Sequence, residues 1–189
     1  MSDLFSIFIG MALINNIVLV HFLGLCPLFG ISKKLGVAAN MGIAVSLVML
    51  VSSVVAWLVY TYILIPLDAE YLQLLMYLLV IGSMVQIISI FLKRTNEKLY
   101  KSLGIYVLFI SNCAVLGVLL LNAEQSYSLL ESVVAALGAG IGFTLIMVIM
   151  SGIRERLELA NSPKAMKGLP IVFITAALLA MAFNGFTGI

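Results

Sequence analysis

Long apolar stretches separated by short polar connections are the dominant pattern along this chain. A membrane-crossing helix needs about 20 mainly apolar residues, and six stretches approach or exceed that length: about 4–31, 37–65, 71–92, 102–122, 130–153 and 169–187. None shows the strict apolar and polar alternation of a membrane β-strand, so helices are expected. The pattern therefore predicts an all-α integral membrane protein with six transmembrane helices.

The polar connections alternate in charge. Basic residues occupy only the first, third and fifth connections: Lys33, Lys34, Lys93, Arg94, Lys98, Lys101, Arg154, Arg156, Lys164 and Lys167. The N-terminus and the second and fourth connections carry only acidic charges: Asp3, Asp68, Glu70, Glu124 and Glu131. Because short basic loops are retained in the cytoplasm, both chain termini are predicted to lie on the outer side of the membrane.

Composition agrees with a membrane protein and excludes several other classes. Of the 189 residues, 63% are apolar and 10% charged, and the mean hydropathy is +1.24. This leaves too little polar surface for a soluble domain. The net charge of +2 follows from the basic connections and does not indicate nucleic-acid binding. We expect one membrane domain over residues 1–189, surrounded by lipid.

A cysteine followed four residues later by a glycine occurs twice, at Cys26–Gly30 and Cys113–Gly117. These two segments, the cysteine phrases, contain the only two cysteines. Aligning the cysteines divides the chain into repeats at about 1–95 and 96–189. Three helices per repeat invert the second copy. Gly24 and Pro27 precede Gly30 and predict a break in the first helix, and the repeat predicts a matching break in the fourth. Broken helices of inverted repeats usually face a shared functional site.

The two thiols are therefore expected to meet at one metal centre inside the bilayer. An isolated cysteine in such a helix is more often a small apolar side chain, but the paired positions favour a functional role. Soft thiolates select zinc, copper(I) or iron–sulfur centres. Two ligands complete none of these sites, so a second subunit must supply the others.

Several polar side chains are predicted to lie at membrane depth. Four of them are expected to hydrogen-bond neighbouring helices or backbone released by a break: Asn15, Asn16, Ser111 and Asn112. Interhelical hydrogen bonds are also expected for Gln73 and Gln86. His21, the only histidine, is predicted to be neutral and hydrogen-bonded, because its charged form is costly in a membrane.

The fifth apolar stretch is predicted to pack closely against a neighbouring helix, since it contains Gly138, Gly140 and Gly142. No Asp, Lys or Arg lies within any of the six stretches, and Glu131 lies at the edge of one. Ion pumps usually carry such groups at membrane depth. A small inverted-repeat secondary transporter is the alternative function, and an assembly subunit with incidental cysteines is a third possibility.

Three phrases resemble the family formed by the A subunits of Rnf electron-transport complexes, and they are similar to the E subunits of the related Na⁺-pumping NADH:quinone reductase. The phrases are Leu23–Lys34, Asn112–Gly117 and Gly152–Arg156. The resemblance covers essentially the whole chain. It implies one component of an ion-translocating ferredoxin:NAD⁺ oxidoreductase in a bacterial inner membrane, in which this chain has no catalytic residues of its own.

The resemblance also implies a cofactor and partners. Cys26 and Cys113 would hold half of an intramembrane [2Fe-2S] cluster that is shared with the paralogous E subunit of Rnf, which has the opposite orientation. Four neighbouring residues would shape the surroundings of the sulfurs: Gly30, Ser111, Asn112 and Gly117. The cluster would relay electrons between cytoplasmic iron–sulfur and outer flavin proteins, among the B, C, D and G subunits of Rnf. No flavin is expected on this chain.

Overall fold

A computed structural model of the chain describes residues 2–26, 35–66, 70–95, 113–159 and 168–185. Within these ranges the chain is helical and has no strand. The α-helices are α1 (Ser2–Ile9), α2 (Ile17–Val20), α3 (Leu35–Val59), α4 (Gln73–Thr95), α5 (Cys113–Glu124), α6 (Leu129–Leu159) and α7 (Leu169–Asn184). One π-helical turn follows α1 at Gly10–Ile14, and another follows α3 at Tyr60–Leu64. The prediction of an all-α protein is confirmed.

Six apolar helical segments follow one another along the described residues. Three are long enough to cross a membrane: Leu35–Leu64, Gln73–Phe91 and Leu129–Leu157. Three are shorter: Leu4–Ile14, Cys113–Glu124 and Leu169–Asn184. Each falls on one of the six apolar stretches of the sequence. Residues 102–112 of the fourth stretch lie outside the described ranges, and six crossings in an inverted repeat stay a prediction.

Helices α3 and α6 pack closely because small residues face each other along their contact. A Cβ atom added at Gly42 would lie 2.6 Å from Cγ2 of Thr144 on α6, and one added at Gly140 would lie 2.8 Å from Cβ of Ser46 on α3. Contact at these distances leaves no space for a larger side chain, so the two backbones approach where either glycine lies.

The hydroxyl groups of Ser46 and Thr144 on this contact are each paired within their own helix. Ser46 Oγ donates to the Gly42 carbonyl at 2.8 Å, and Thr144 Oγ1 donates to the Gly140 carbonyl at 2.8 Å. The two hydroxyl oxygens lie 3.3 Å apart. These two hydroxyl groups are thus satisfied without adding bulk to the contact.

The two long helices run antiparallel. Ser53 Oγ donates to the Ser132 carbonyl at 3.1 Å, and Trp57 Nε1 donates to the Tyr127 carbonyl at 3.2 Å. Contacts at higher residue numbers on α3 therefore meet lower numbers on α6. The acidic connection before α6 lies beside the end of α3, whereas Arg154 and the rest of the C-terminal end of α6 lie at the opposite end, beside the start of α3.

The first helical segment of the chain also packs against α6. A Cβ atom at Gly138 would lie 2.7 Å from the Phe8 carbonyl oxygen, and one at Gly142 would lie 2.6 Å from the Ala12 carbonyl oxygen. The predicted close packing of the fifth apolar stretch is confirmed.

Among the described residues, the prediction that Gln73 hydrogen-bonds to a neighbouring helix is wrong. Gln73 Nε2 donates to Tyr77 Oη at 3.3 Å, one turn later in the same helix. Glutamine and tyrosine four residues apart lie on one helix face, so the nearest partner is local. Gln86 is exposed.

We expect Gly142→Ala to lower the thermal unfolding temperature of the detergent-purified chain. Its added methyl group would press on the backbone of the π-helical turn, and overpacking typically costs about 1–3 kcal/mol. Gly152→Ala is the matched control, because nothing lies within 4 Å of a Cβ atom there. It should leave the unfolding temperature unchanged or raise it slightly, since alanine favours helices. Equal unfolding temperatures for both variants would contradict the close contact at Gly142.

Candidate metal centre

The first apolar stretch is not one continuous helix. The π-helical turn after α1 ends where the Asn15 N–H donates to the Gly10 carbonyl at 2.6 Å. Asn16 then leaves helical geometry, with φ −62° and ψ 116°, and α2 begins at the next residue. A break therefore lies upstream of the predicted one at Gly24, Pro27 and Gly30, of which the last two fall outside the described residues.

Asn16 satisfies the backbone on both sides of this break. Its side chain is 1% exposed. Its Nδ2 donates to the Ala12 carbonyl at 3.0 Å, and its Oδ1 accepts the Val18 N–H at 3.1 Å as the N-cap of α2. The structural role predicted for Asn16 is confirmed, whereas Asn15 is exposed. Ser111 and Asn112 lie outside the described residues.

A second turn follows α2 and includes one of the predicted helix breakers. α2 ends at Val20, and His21, the C-cap residue that follows it, is exposed. Phe22 and Gly24 then adopt positive φ values of 52° and 85°. Glycine takes this conformation without penalty, while for a residue such as Phe22 it costs about 1–2 kcal/mol. The chain forms a turn here, immediately before Cys26.

This turn contacts the second cysteine. The Gly24 N–H donates to Cys113 Sγ at 3.0 Å, although the two residues are 89 positions apart. Cys113 is the first residue of α5. Cys26 lies two residues after Gly24, so their Cα atoms are at most about 7 Å apart. The turn that precedes Cys26 thus contacts Cys113, while Pro27–Gly30 of the first phrase lie outside the described residues.

Packing around the contact holds α5 against the turn. A Cβ atom at Gly117 would lie 3.2 Å from Cδ2 of Leu23, so the absence of a side chain there lets Leu23 pack on α5. The side chains of Ala114 and Val115, which follow Cys113, are fully buried. Gly117 therefore contributes to the packing between α5 and the turn, and its predicted role around the sulfur stays a prediction. Gly30, its counterpart in the first phrase, lies outside the described residues.

The donor set at this site consists of two exposed thiols, Cys26 and Cys113. Among the described residues, no three His, Cys, Asp or Glu side chains are grouped closely enough to hold a metal ion. A thiolate accepting a backbone N–H is a common arrangement at iron–sulfur sites. The arrangement places two thiols at the surface of the chain.

Sequence reasoning missed the role of the Gly24 amide. Glycine before the Cys–Pro pair indicated a helix break, but the donor to Cys113 became visible only with the fold. It also missed Asn122, a buried amide on α5 that hydrogen-bonds to Ser53. A single asparagine near the end of an apolar stretch was the available signal for it.

The apolar helices and the buried polar contacts between them define an all-helical membrane protein. The sequence model of the Rnf-Nqr family, described as "Rnf-Nqr subunit, membrane protein", matches residues 4–189. The chain belongs to this family.

Curated relatives agree over the whole chain. Proteins named as the A subunit of an ion-translocating oxidoreductase complex are 50% identical in Photorhabdus laumondii, 48% in Proteus mirabilis and 47% in Azoarcus sp. (strain BH72). Each alignment covers 100% of this chain and 98% of the relative. The resemblance read from the cysteine phrases is confirmed.

We expect Asn16→Ala to destabilise the chain by about 1–2 kcal/mol, because it removes a helix cap and leaves a buried carbonyl unpaired. Thermal or denaturant unfolding of the purified chain measures this loss. Asn15→Ala is the matched control, since the Asn15 side chain is exposed and its backbone bond is retained. Destabilisation of both variants to the same extent would argue against a specific role for the Asn16 amide.

Proposed function

We propose that this chain is a membrane component of an ion-translocating oxidoreductase complex and contributes Cys26 and Cys113 to a [2Fe-2S] cluster shared with a paralogous partner. The observation that carries the proposal is the contact between the Gly24 amide and Cys113 Sγ, which brings the turn before Cys26 to the second cysteine. The names of the full-length relatives support the assignment to such a complex.

The residues present fit half of such a site. A [2Fe-2S] cluster takes four cysteine ligands, and the two thiols here are exposed at the surface of the chain. An exposed position lets sulfur ligands of a second chain approach the same point. The Gly24 N–H donates to Cys113 Sγ, and hydrogen bonds to ligand sulfurs are one of the features that set cluster potentials.

The depth of Cys113 supports an intramembrane site. Cys113 and Asn122 are nine residues apart on α5, which corresponds to about 14 Å along the helix axis. Asn122 lies beside Tyr127 and Trp57. These residues are at the end of the helices that carries the acidic connection before α6, which we call the acidic end. Aromatic residues of this kind mark the membrane interface. Starting from that interface, about 14 Å of helix reaches the middle of a hydrocarbon core of about 30 Å.

When bound, the cluster supplies one-electron transfer. In this proposal the turn at Phe22–Gly24 and the start of α5 hold the two thiols in place, and the buried side of α5 anchors Cys113. The other two ligands come from the E subunit of Rnf, in the opposite orientation. The site lies between cytoplasmic iron–sulfur proteins and outer flavin proteins, with the B, C, D and G subunits of Rnf as further partners. No flavin is assigned to this chain.

Orientation in the inner membrane follows from charge. Arg94 and Arg154 lie at the C-terminal ends of α4 and α6, whereas the starts of those helices lie at the acidic end. Because short basic segments stay in the cytoplasm, we place the basic end inside, the acidic end outside, and both chain termini outside. Six crossings in two inverted three-helix repeats complete the proposed topology.

In the purified complex, Cys26→Ser and Cys113→Ser should each remove the EPR signal of one reduced [2Fe-2S] cluster and about two iron atoms per complex. Metal analysis and EPR of dithionite-reduced samples measure both quantities. Ser83→Ala serves as control, because Ser83 is exposed on α4 and its hydroxyl bonds only within that helix. If both cysteine variants retain wild-type iron and signal in an assembled complex, the cluster proposal is wrong.

Cysteine labelling tests the proposed orientation. In intact cells a membrane-impermeant maleimide should modify Gln125→Cys, in the turn after α5, but not Arg94→Cys, at the end of α4. Both positions are exposed, so permeabilised cells should show labelling at each. The parent chain gives the background from its own two cysteines. The reverse pattern in intact cells would contradict the proposed topology.

A further inference from the structure

A cavity of about 350 Å³ lies at the acidic end of the helices, away from the cysteine site. The end of α3, the start of α4, the end of α5 and the start of α6 surround it. Aromatic side chains contribute much of its lining: Trp57, Tyr60, Tyr77 and Tyr127. A volume of this size falls within the range of small-molecule pockets and far exceeds that of one metal ion.

Asn122 lines this cavity and has an unmet hydrogen-bonding capacity. Its side chain is 7% exposed. Its Nδ2 donates to Ser53 Oγ at 3.1 Å and lies 3.4 Å from the Ser132 carbonyl oxygen. Its Oδ1 has no partner among the described residues. A buried acceptor without a donor costs about 1–3 kcal/mol, so a ligand that brings a donor would bind favourably.

The residues that line the cavity determine which kind of hydrogen-bond donor on a ligand would be favoured. Among the described residues, the lining contains no Lys, Arg or His, and its polar side chains are neutral hydroxyl, amide and indole groups. The indole N–H of Trp57 is already paired with the Tyr127 carbonyl. An anion would therefore find no positive charge, whereas a cation with N–H groups finds oxygen acceptors and aromatic rings. Aromatic side chains around an oxygen acceptor are typical of ammonium recognition.

Two further features support a binding site at this place. Tyr60 and Thr61, which line the cavity, belong to the π-helical turn Tyr60–Leu64, and such turns are frequent at functional sites. The Trp and Tyr side chains also place the cavity at headgroup depth, where amine-bearing headgroups and soluble amines are both present.

We propose that this cavity binds a primary ammonium group, either from the headgroup of an aminophospholipid or from a small soluble amine. The ammonium donates to Asn122 Oδ1, and the aromatic side chains surround its charge. The site is separate from the cysteine centre, and the proposal does not depend on the cluster.

The chain reports on this site through Trp57, its only tryptophan. We would purify the full chain in nanodiscs of phosphatidylcholine and phosphatidylglycerol and titrate it with ethylammonium chloride. A saturable change in Trp57 fluorescence is expected, with no comparable change for sodium chloride at equal ionic strength. An identical response to both salts, or none to ethylammonium, would overturn the proposal.

Asn122→Leu removes the acceptor and should weaken ethylammonium binding about tenfold, as expected for one hydrogen bond to a charged group. Gln86→Leu is the matched control, because this amide is exposed on α4 and lies outside the cavity. It should bind like the wild type. Wild-type affinity in a folded Asn122→Leu variant would overturn the proposal.

A second pair of variants decides the question if Asn122→Leu fails to fold. Tyr60→Leu should weaken ethylammonium binding about fivefold through loss of a cation–π contact. Tyr62→Leu should not change it, since Tyr62 lies on the same π-helical turn but is 72% exposed and outside the cavity lining. Equal affinities for the two tyrosine variants would overturn the role of the aromatic lining.

The source of the ammonium group is resolved by changing the lipid. Replacing phosphatidylcholine with phosphatidylethanolamine should shift the Trp57 emission and reduce the apparent ethylammonium affinity if a headgroup occupies the cavity. Unchanged ethylammonium binding in both lipids would assign the site to a soluble amine. Failure of both ethylammonium and phosphatidylethanolamine to affect Trp57 would reject either source.

Discussion

A backbone amide released by a helix break in hydrocarbon finds no water, and the side chain of Asn16 meets this constraint at the first break of the chain. It accepts the Val18 N–H and donates to the Ala12 carbonyl, so both sides of the break are paired within two helical turns. The chain can then turn again at Phe22 and Gly24. Because this second turn presents the Gly24 amide to Cys113, that contact depends on the pairing upstream.

Glycines on α6 allow the broken first segment of the chain to pack closely against that helix. Gly138 and Gly142 are four residues apart and therefore share one face of the helix, where they receive the backbone of α1 and of the π-helical turn. Gly140 lies about 200° around the helix from Gly138 and receives Ser46 of α3. One helix thus accepts a close neighbour on each of two faces. The three glycines at alternate positions of α6 therefore make two different contacts.

The helices and their close packing could be predicted because both follow from local composition. Apolar length predicts a span, and glycines at close spacing predict an approach of backbones, whatever the neighbour is. The position of the first break was harder, since Pro27 and Gly30 are stronger helix breakers than Asn16. The sequence does not distinguish an Asn16 side chain that hydrogen-bonds to a neighbouring helix from one that hydrogen-bonds to the backbone of its own segment. The Gly24 contact joins residues 89 positions apart, and the unpaired oxygen of Asn122 depends on four helices at once, so neither has a local signature.

The burial pattern of α5 bears on how a metal centre can be completed. Ala114 and Val115 are fully buried, while Cys113 beside them is exposed. The helix is therefore anchored in the core of the chain, and its first residue lies at the perimeter. A ligand set enclosed by one chain would be expected to bury its sulfurs, since thiolates are costly in contact with hydrocarbon unless paired. Thiols exposed at the edge would instead need a second surface to shield them, which is the physical argument for the second chain that we propose.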